Sequence, residues 1–104
     1  MGSGFGTYIL YSATGDRHYV GQASGFRERA KQHLEAATQS SKCFDDWMLV
    51  FFEQADTLQR AMALERQIKK TKSRKSIARY IQDSRNVISD PIPLRDIVSG
   101  GMNV

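Results

Sequence analysis

The spacing of apolar and polar positions changes several times along the chain, and each change marks an element. Residues 7–13, TYILYSA, are rich in β-branched and aromatic side chains and read as a strand. TGDR supplies turn chemistry through Gly15 and Asp16, and HYVGQA returns, so 7–23 is predicted as a β-hairpin. Tyr8 and Leu10 share a face of its first strand, and Tyr19 and Gly21 share one on its second. From Phe26 the period lengthens. Phe26, Ala30, Leu34 and Ala37 recur at i, i+4, i+8 and i+11, which predicts a helix over 26–38 with Ser24 as its cap. A polar loop, TQSSKCFDD, leads to DWMLVFFEQA, a third strand whose unbroken apolar run calls for cover on both faces. Leu58, Ala61, Met62 and Ile68 predict a second helix over 58–70, capped by Asp56 or Thr57. After the basic turn KKTKSRK, a short helix turns Ile77, Tyr80 and Ile81 inward. From Ser84 the pattern fades into SDPIPLRDIVSGGMNV, which reads as a tail or linker whose Ile92, Leu94, Ile97 and Val98 are free to dock.

These elements describe an α/β protein of the α+β type, a three-stranded, mainly antiparallel sheet covered by helices. A chain of 104 residues suits one core. We place the domain at 6–83, with 1–5 as an expression remnant and 84–104 as the tail. WMLVFF, the longest apolar run, is far short of the roughly 20 residues of a membrane helix. No secretory signal is visible. The single cysteine, Cys43, excludes an intrachain disulfide or a CxxC site, so a cytoplasmic location is expected and Cys43 reads as a small packing residue.

Charge changes the picture more than composition does. The net charge is +4, yet 60–85 holds nine basic and two acidic residues, a local +7, leaving −3 on the remainder. That asymmetry fits a nucleic-acid partner, and equally a solvated helix face with a lysine-rich turn.

Three polar residues fall on apolar stripes. Glu65 lies in the middle of the second helix's stripe, and Arg29 and His33 lie inside that of the first. An ionised group on a buried face is costly unless it is paired or holds a metal. A Glu65–Arg29 ion pair with a hydrogen-bonded His33 is one explanation. A cleft shared with the hairpin tyrosines is the other.

The motifs favour the cleft. Gly6-Thr7-Tyr8 and Tyr19-Val20-Gly21 resemble the paired motifs of the GIY-YIG nuclease family, RERAKQH resembles its arginine–histidine block, and ALERQIKK its glutamate block. The resemblance runs from about residue 6 to 81. It is strongest to the small single-domain branch similar to the N-terminal nuclease domain of the nucleotide-excision-repair excinuclease, a DNA-repair enzyme. Thr7, Val20 and Ala30 depart from the usual residues, and position 77 is isoleucine where some members carry asparagine; Asn86 is too distant to take its place.

The resemblance implies a metal-dependent DNA endonuclease. It assigns Tyr8, Tyr19, Arg29, His33 and Glu65 to catalysis, with Glu65 holding Mg²⁺ or Mn²⁺. A tyrosine takes the proton of the attacking water, Arg29 faces the phosphate oxygens, and His33 orients or relays. Gly21, Arg27, Lys69, Lys72, Arg74 and Lys75 are the expected nucleic-acid contacts, with the glycines admitting a close phosphate. Tyr11, Tyr80 and Trp47 read as packing aromatics and His18 as an exposed hairpin residue. A non-catalytic nucleic-acid-binding module of the same fold is the rival, and a larger protein with 84–104 as a linker is a third possibility.

Overall fold

A computed structural model describes residues 5–39, 46–71, 73–83, 86, 88 and 90–98, and for 27, 34–39 and 98 only the backbone. Leu34 and Ala37 as core positions, Cys43, Lys72, Arg85 and the side chains of Arg27 and Val98 therefore lie outside the described structure. The hairpin comprises β1 (Gly6–Ser12) and β2 (Arg17–Ala23), paired antiparallel with Tyr8 opposite Gly21 and Leu10 opposite Tyr19. Its turn is held from two sides. Tyr11 Oη donates to Asp16 Oδ1 at 2.8 Å, and Asp46 accepts from Ser12 Oγ and from both the backbone N–H and the hydroxyl of Thr14. Asp16 adopts φ +51°, a left-handed conformation that aspartate tolerates better than most residues.

Helix α1 (Phe26–Gln39) follows, then β3 (Met48–Gln54), α2 (Leu58–Thr71) and α3 (Arg74–Gln82). Thr57 caps α2, its Oγ1 accepting from Arg60 N–H at 3.2 Å. A fourth, two-residue strand β4 (Ile92–Pro93) pairs with β3, and α4 (Leu94–Val98) completes the described chain. The sheet order is β2-β1-β3-β4, antiparallel throughout. Among the described residues the expected three strands are thus four. Two prolines hide β4 from any periodicity reading, yet Pro93 suits an edge strand, where its missing N–H leaves no ladder bond unmade.

Both faces of the sheet are covered, as the apolar run of β3 requires. Tyr8, Leu10, Ala23, Leu49 and Phe52 pack against Phe26 and Ala30 of α1, Leu94 and Ile97 of α4, and Ile88. Ile9, Val20, Val50 and Phe51 pack against Leu64 and Ile68 of α2 and Ile77, Tyr80 and Ile81 of α3. A bulge makes this division possible. Ile9 pairs with Phe51 but Leu10 with Leu49, so Val50 is the extra residue, and Leu49 and Phe52 reach the same face although three apart.

Two polar side chains lock the layers together. Thr7 Oγ1 donates to the carbonyl of Ala61 at 2.7 Å in a buried setting, tying α2 to β1. Asn86 makes four bonds: its Oδ1 accepts from Phe52 and Ile88 N–H, and its Nδ2 donates to the carbonyls of Val50 and Ile81. It joins the end of α3 to β3. No helix among the described residues is long and apolar enough to cross a membrane.

Candidate active site

Strand register brings the two tyrosines together. Tyr19 lies diagonal to Tyr8 on the same face, and their rings are nearly parallel, 22° apart with centroids at 6.3 Å. Helix α1 delivers His33 to the same place. Phe26 and Ala30 are buried at i and i+4, so His33 at i+7 falls on the inner stripe. Tyr8 Oη and His33 Nε2 are 3.0 Å apart, and Tyr19 presents its ring to the imidazole edge-on at 4.8 Å.

The two tyrosines live in different surroundings. Tyr8 is 1% exposed and Tyr19 44%. Burial, with a smaller contribution from Tyr19, pushes the Tyr8 phenol well above its ordinary value; Arg29 opposes this and Glu65 adds to it. Burial and then Arg29 hold His33 below its ordinary value of 6.5, so the imidazole is neutral at pH 7. Arg29 and Glu65 therefore both act electrostatically on one hydroxyl, although they come from helices that follow different strands.

Neither charged residue is buried as its stripe suggests. Arg29 is exposed. The Glu65 side chain is 19% exposed and accepts from Lys69 Nζ at 2.7 Å, an i, i+4 pair that the sequence displays. No Glu65–Arg29 ion pair forms among the described residues, so the structure does not take the alternative of a buried pair. The reason is helix rotation: α2 turns Ala61, Leu64 and Ile68 inward, where the periodicity predicts Leu58, Ala61, Met62 and Ile68. Leu58 and Met62 are exposed instead.

Gly21 serves the protein's own interior. A Cβ there would stand 2.6 Å from Tyr8 Oη and 2.8 Å from its Cζ, so the space expected to admit a phosphate holds the Tyr8 phenol. Gly6 plays the same part beneath the Phe52 ring. We expect Gly21→Ala to cost about 1–3 kcal/mol of stability through overpacking and to break the Tyr8–His33 bond. Urea unfolding measures the first effect, and a rise in the His33 pKa read by NMR measures the second.

The basic contacts divide. Arg74 donates to the carbonyl and Oδ2 of Asp16, at 3.0 and 2.6 Å, and so anchors α3 to the hairpin turn. Lys69 is engaged by Glu65, whereas Lys75 is exposed on α3. His18, expected to be exposed, is half-buried against Tyr11, with centroids 4.8 Å apart. Asn86 and Asp46, to which the sequence assigns no role, carry structural networks; the only signal for Asn86 is an asparagine beyond a helix end.

Residues 4–80 match the family model described as the GIY-YIG catalytic domain. The chain belongs to this family. GIY-YIG domains are those of endonucleases, so nuclease-type activity on nucleic acid follows. No curated protein and no solved structure matches the chain.

GIY-YIG nucleases typically use divalent metals, and the residues here fit a hard ion that keeps most of its water. Glu65 offers one carboxylate that already holds a cation, the Lys69 ammonium. No group of three or more His, Cys, Asp or Glu side chains that could cage a metal occurs among the described residues.

Proposed function

We propose that this GIY-YIG domain is a metal-dependent DNA endonuclease working at the Tyr8–Tyr19–His33 cluster, with Arg29 and Glu65 as its charged walls. One observation carries the reading: the tyrosines and the histidine touch, with Tyr8 Oη 3.0 Å from His33 Nε2 and the Tyr19 ring edge-on to the imidazole. Glu65 would hold Mg²⁺ or Mn²⁺, and the bound ion supplies positive charge for the departing 3′-oxygen. Arg29, exposed and fork-shaped, donates to the non-bridging phosphate oxygens. Tyr19, open to solvent, removes the proton of the attacking water. Tyr8 is held neutral by burial and keeps His33 in place, and His33 faces Tyr19 at the distance of a ring contact. Single-turnover cleavage of labelled DNA by wild type and by Arg29→Ala tests the assignment. Losing a preorganised donor to the phosphate should cost about 10²–10³ in rate.

The His33 shift sets the pH dependence. A lowered folded pKa means that the native state binds fewer protons than the unfolded chain. That contribution to stability is present above pH 6.5 and is lost as pH falls through the lowered value. The part of the pH–rate dependence that belongs to His33 should therefore appear only below pH 6.5, as an added fall in rate. A pH–rate profile checks this, and the same acid limb in His33→Gln would remove His33 from the role.

Lys75 is proposed as a phosphate-backbone contact, together with Arg27 and Lys72. Lys75→Ala should flatten the log–log salt dependence of DNA binding by roughly 0.7–0.9. Arg74→Ala should change it less, because that guanidinium is already held by Asp16. Equal slopes for wild type and Lys75→Ala would make the basic segment a solvated face.

A further inference from the structure

With Ala61, Leu64 and Ile68 turned toward the sheet, Ala63, Arg66 and Lys70 fall on the outward stripe of α2, at i, i+3 and i+7. A groove of about 670 Å³ lies there, lined among the described residues by Ala63, Arg66, Gln67, Lys69 and Lys70. Its described lining holds cations and a neutral amide and no carboxylate. Arg66 and Lys70 are exposed and make no ion pair among the described residues. Like charges at i, i+3 and i+4 repel one another, so the stripe is built against its own helix. Lys69 belongs to two sites at once. It lines the groove, and its Nζ stands 2.7 Å from Glu65 Oε2. Its side chain is half exposed, so it can turn from one to the other without disturbing the core.

Resting on the nuclease reading, we propose that this groove carries the phosphate backbone of the DNA and that Lys69 couples it to the metal-binding carboxylate. In the protein alone Lys69 holds Glu65. When a divalent ion takes that carboxylate, the ammonium turns into the groove and meets a phosphate beside Arg66 and Lys70. Charge complementarity selects the occupant. A lining of cations without a carboxylate favours a polyanion with regularly spaced charges, which the DNA backbone is. Arg66 supplies a planar fork, Lys70 a point charge and Gln67 an amide donor to phosphate oxygens. The exchange at Glu65 is an easy one, because an exposed i, i+4 pair is weak and a divalent ion repels the ammonium it replaces. The coupling is reciprocal: DNA that draws Lys69 into the groove frees Glu65 for the ion. The ion is therefore held most tightly when DNA is in place.

Two binding measurements test this, and neither needs cleavage. Mn²⁺ binding to the protein alone is followed by the EPR signal of the free ion, for wild type, Lys69→Gln and Arg79→Gln. Lys69→Gln should bind Mn²⁺ at least about twofold more tightly, the free energy of an exposed i, i+4 pair expressed as a binding ratio. Arg79→Gln removes the same charge from an exposed residue of α3 and should match wild type. DNA binding is then read by fluorescence anisotropy against salt, in chelator and in Ca²⁺, a hard ion with the same preference for oxygen, with gels verifying that the DNA stays intact. The log–log slopes of wild type and Lys69→Gln should differ by roughly 0.7–0.9 more in Ca²⁺ than in chelator, the share of one phosphate contact. The double variant Arg66→Gln, Lys70→Gln should flatten the slope in both conditions, by roughly twice that amount. Glutamine is a good helix former at these exposed positions, and matched thermal unfolding verifies each fold. Four results would overturn the proposal: Mn²⁺ affinity that Lys69→Gln leaves unchanged, equal tightening by Arg79→Gln, a slope difference that ignores Ca²⁺, or a double variant with the wild-type slope. Failure to cut any DNA with Mg²⁺ or Mn²⁺ would count against the nuclease reading alone, because both readouts are of binding.

Discussion

Replacing Glu65 by alanine should remove metal-dependent cleavage and leave the fold in place. Among the described residues, Glu65 is the carboxylate that bears on Tyr8. Without that charge the rate should fall by at least about 10²–10³, the cost of losing one preorganised stabiliser of a developing oxyanion. The stability side follows from exposure. At 19% exposure and paired with a half-exposed Lys69, Glu65 makes an i, i+4 ion pair worth about 0.2–0.5 kcal/mol. Alanine recovers part of this through helix propensity, so the net change should stay within about 0.5 kcal/mol. Single-turnover rates and urea unfolding of the same preparation measure both. Wild-type cleavage by Glu65→Ala ends the metal assignment, and an unfolded variant shows that the carboxylate is structural.

The second large effect separates the tyrosines. Phenylalanine keeps each ring and removes only the hydroxyl. Tyr19→Phe should lower the single-turnover rate by about 10²–10⁴, the usual contribution of a general base. Its hydroxyl belongs to an exposed residue that a water and a phosphate can reach. Tyr8→Phe should cost much less in rate. Its phenol is sealed between Gly21, Phe26 and His33, and burial holds it firmly protonated, so it serves as a positioning residue. The readout specific to that role is the pH profile: freeing His33 Nε2 from Tyr8 should move the acid limb, whereas Tyr19→Phe should leave it in place. The opposite ranking of rates would make Tyr8 the base. Near-wild-type rates for both would take tyrosine out of proton transfer.

Much of this is legible in the sequence because the signals are local. The hairpin, both long helices and the two-sided cover of β3 follow from period and turn chemistry, and the elements lie within a residue or two of expectation. The tyrosine–histidine cluster follows from register and helix spacing once the motifs are placed. What stays hidden depends on contacts remote in sequence. Whether Met62 or Leu64 faces the sheet is an ambiguity of helix rotation, resolved by packing that includes the Thr7–Ala61 bond across 54 residues. The fourth strand rests on two residues beside Trp47, and no pattern is that short. The burial of Leu94 and Ile97 against α1 can be anticipated only as apolar residues in search of a surface. Gly21 reads as room for substrate along one strand, whereas Tyr8 on the facing strand already fills that room.

The central claim is that this domain cuts DNA at the tyrosine cluster with a divalent ion, and one assay addresses it most directly. Wild-type protein is incubated with end-labelled single-stranded, duplex and branched DNA, with Mg²⁺, with Mn²⁺ and with excess chelator, beside Glu65→Ala as the matched control. The account predicts discrete cleavage products with either ion, none with chelator and none from Glu65→Ala. Binding of all three DNAs without cleavage of any, or cleavage that survives the chelator, would contradict it.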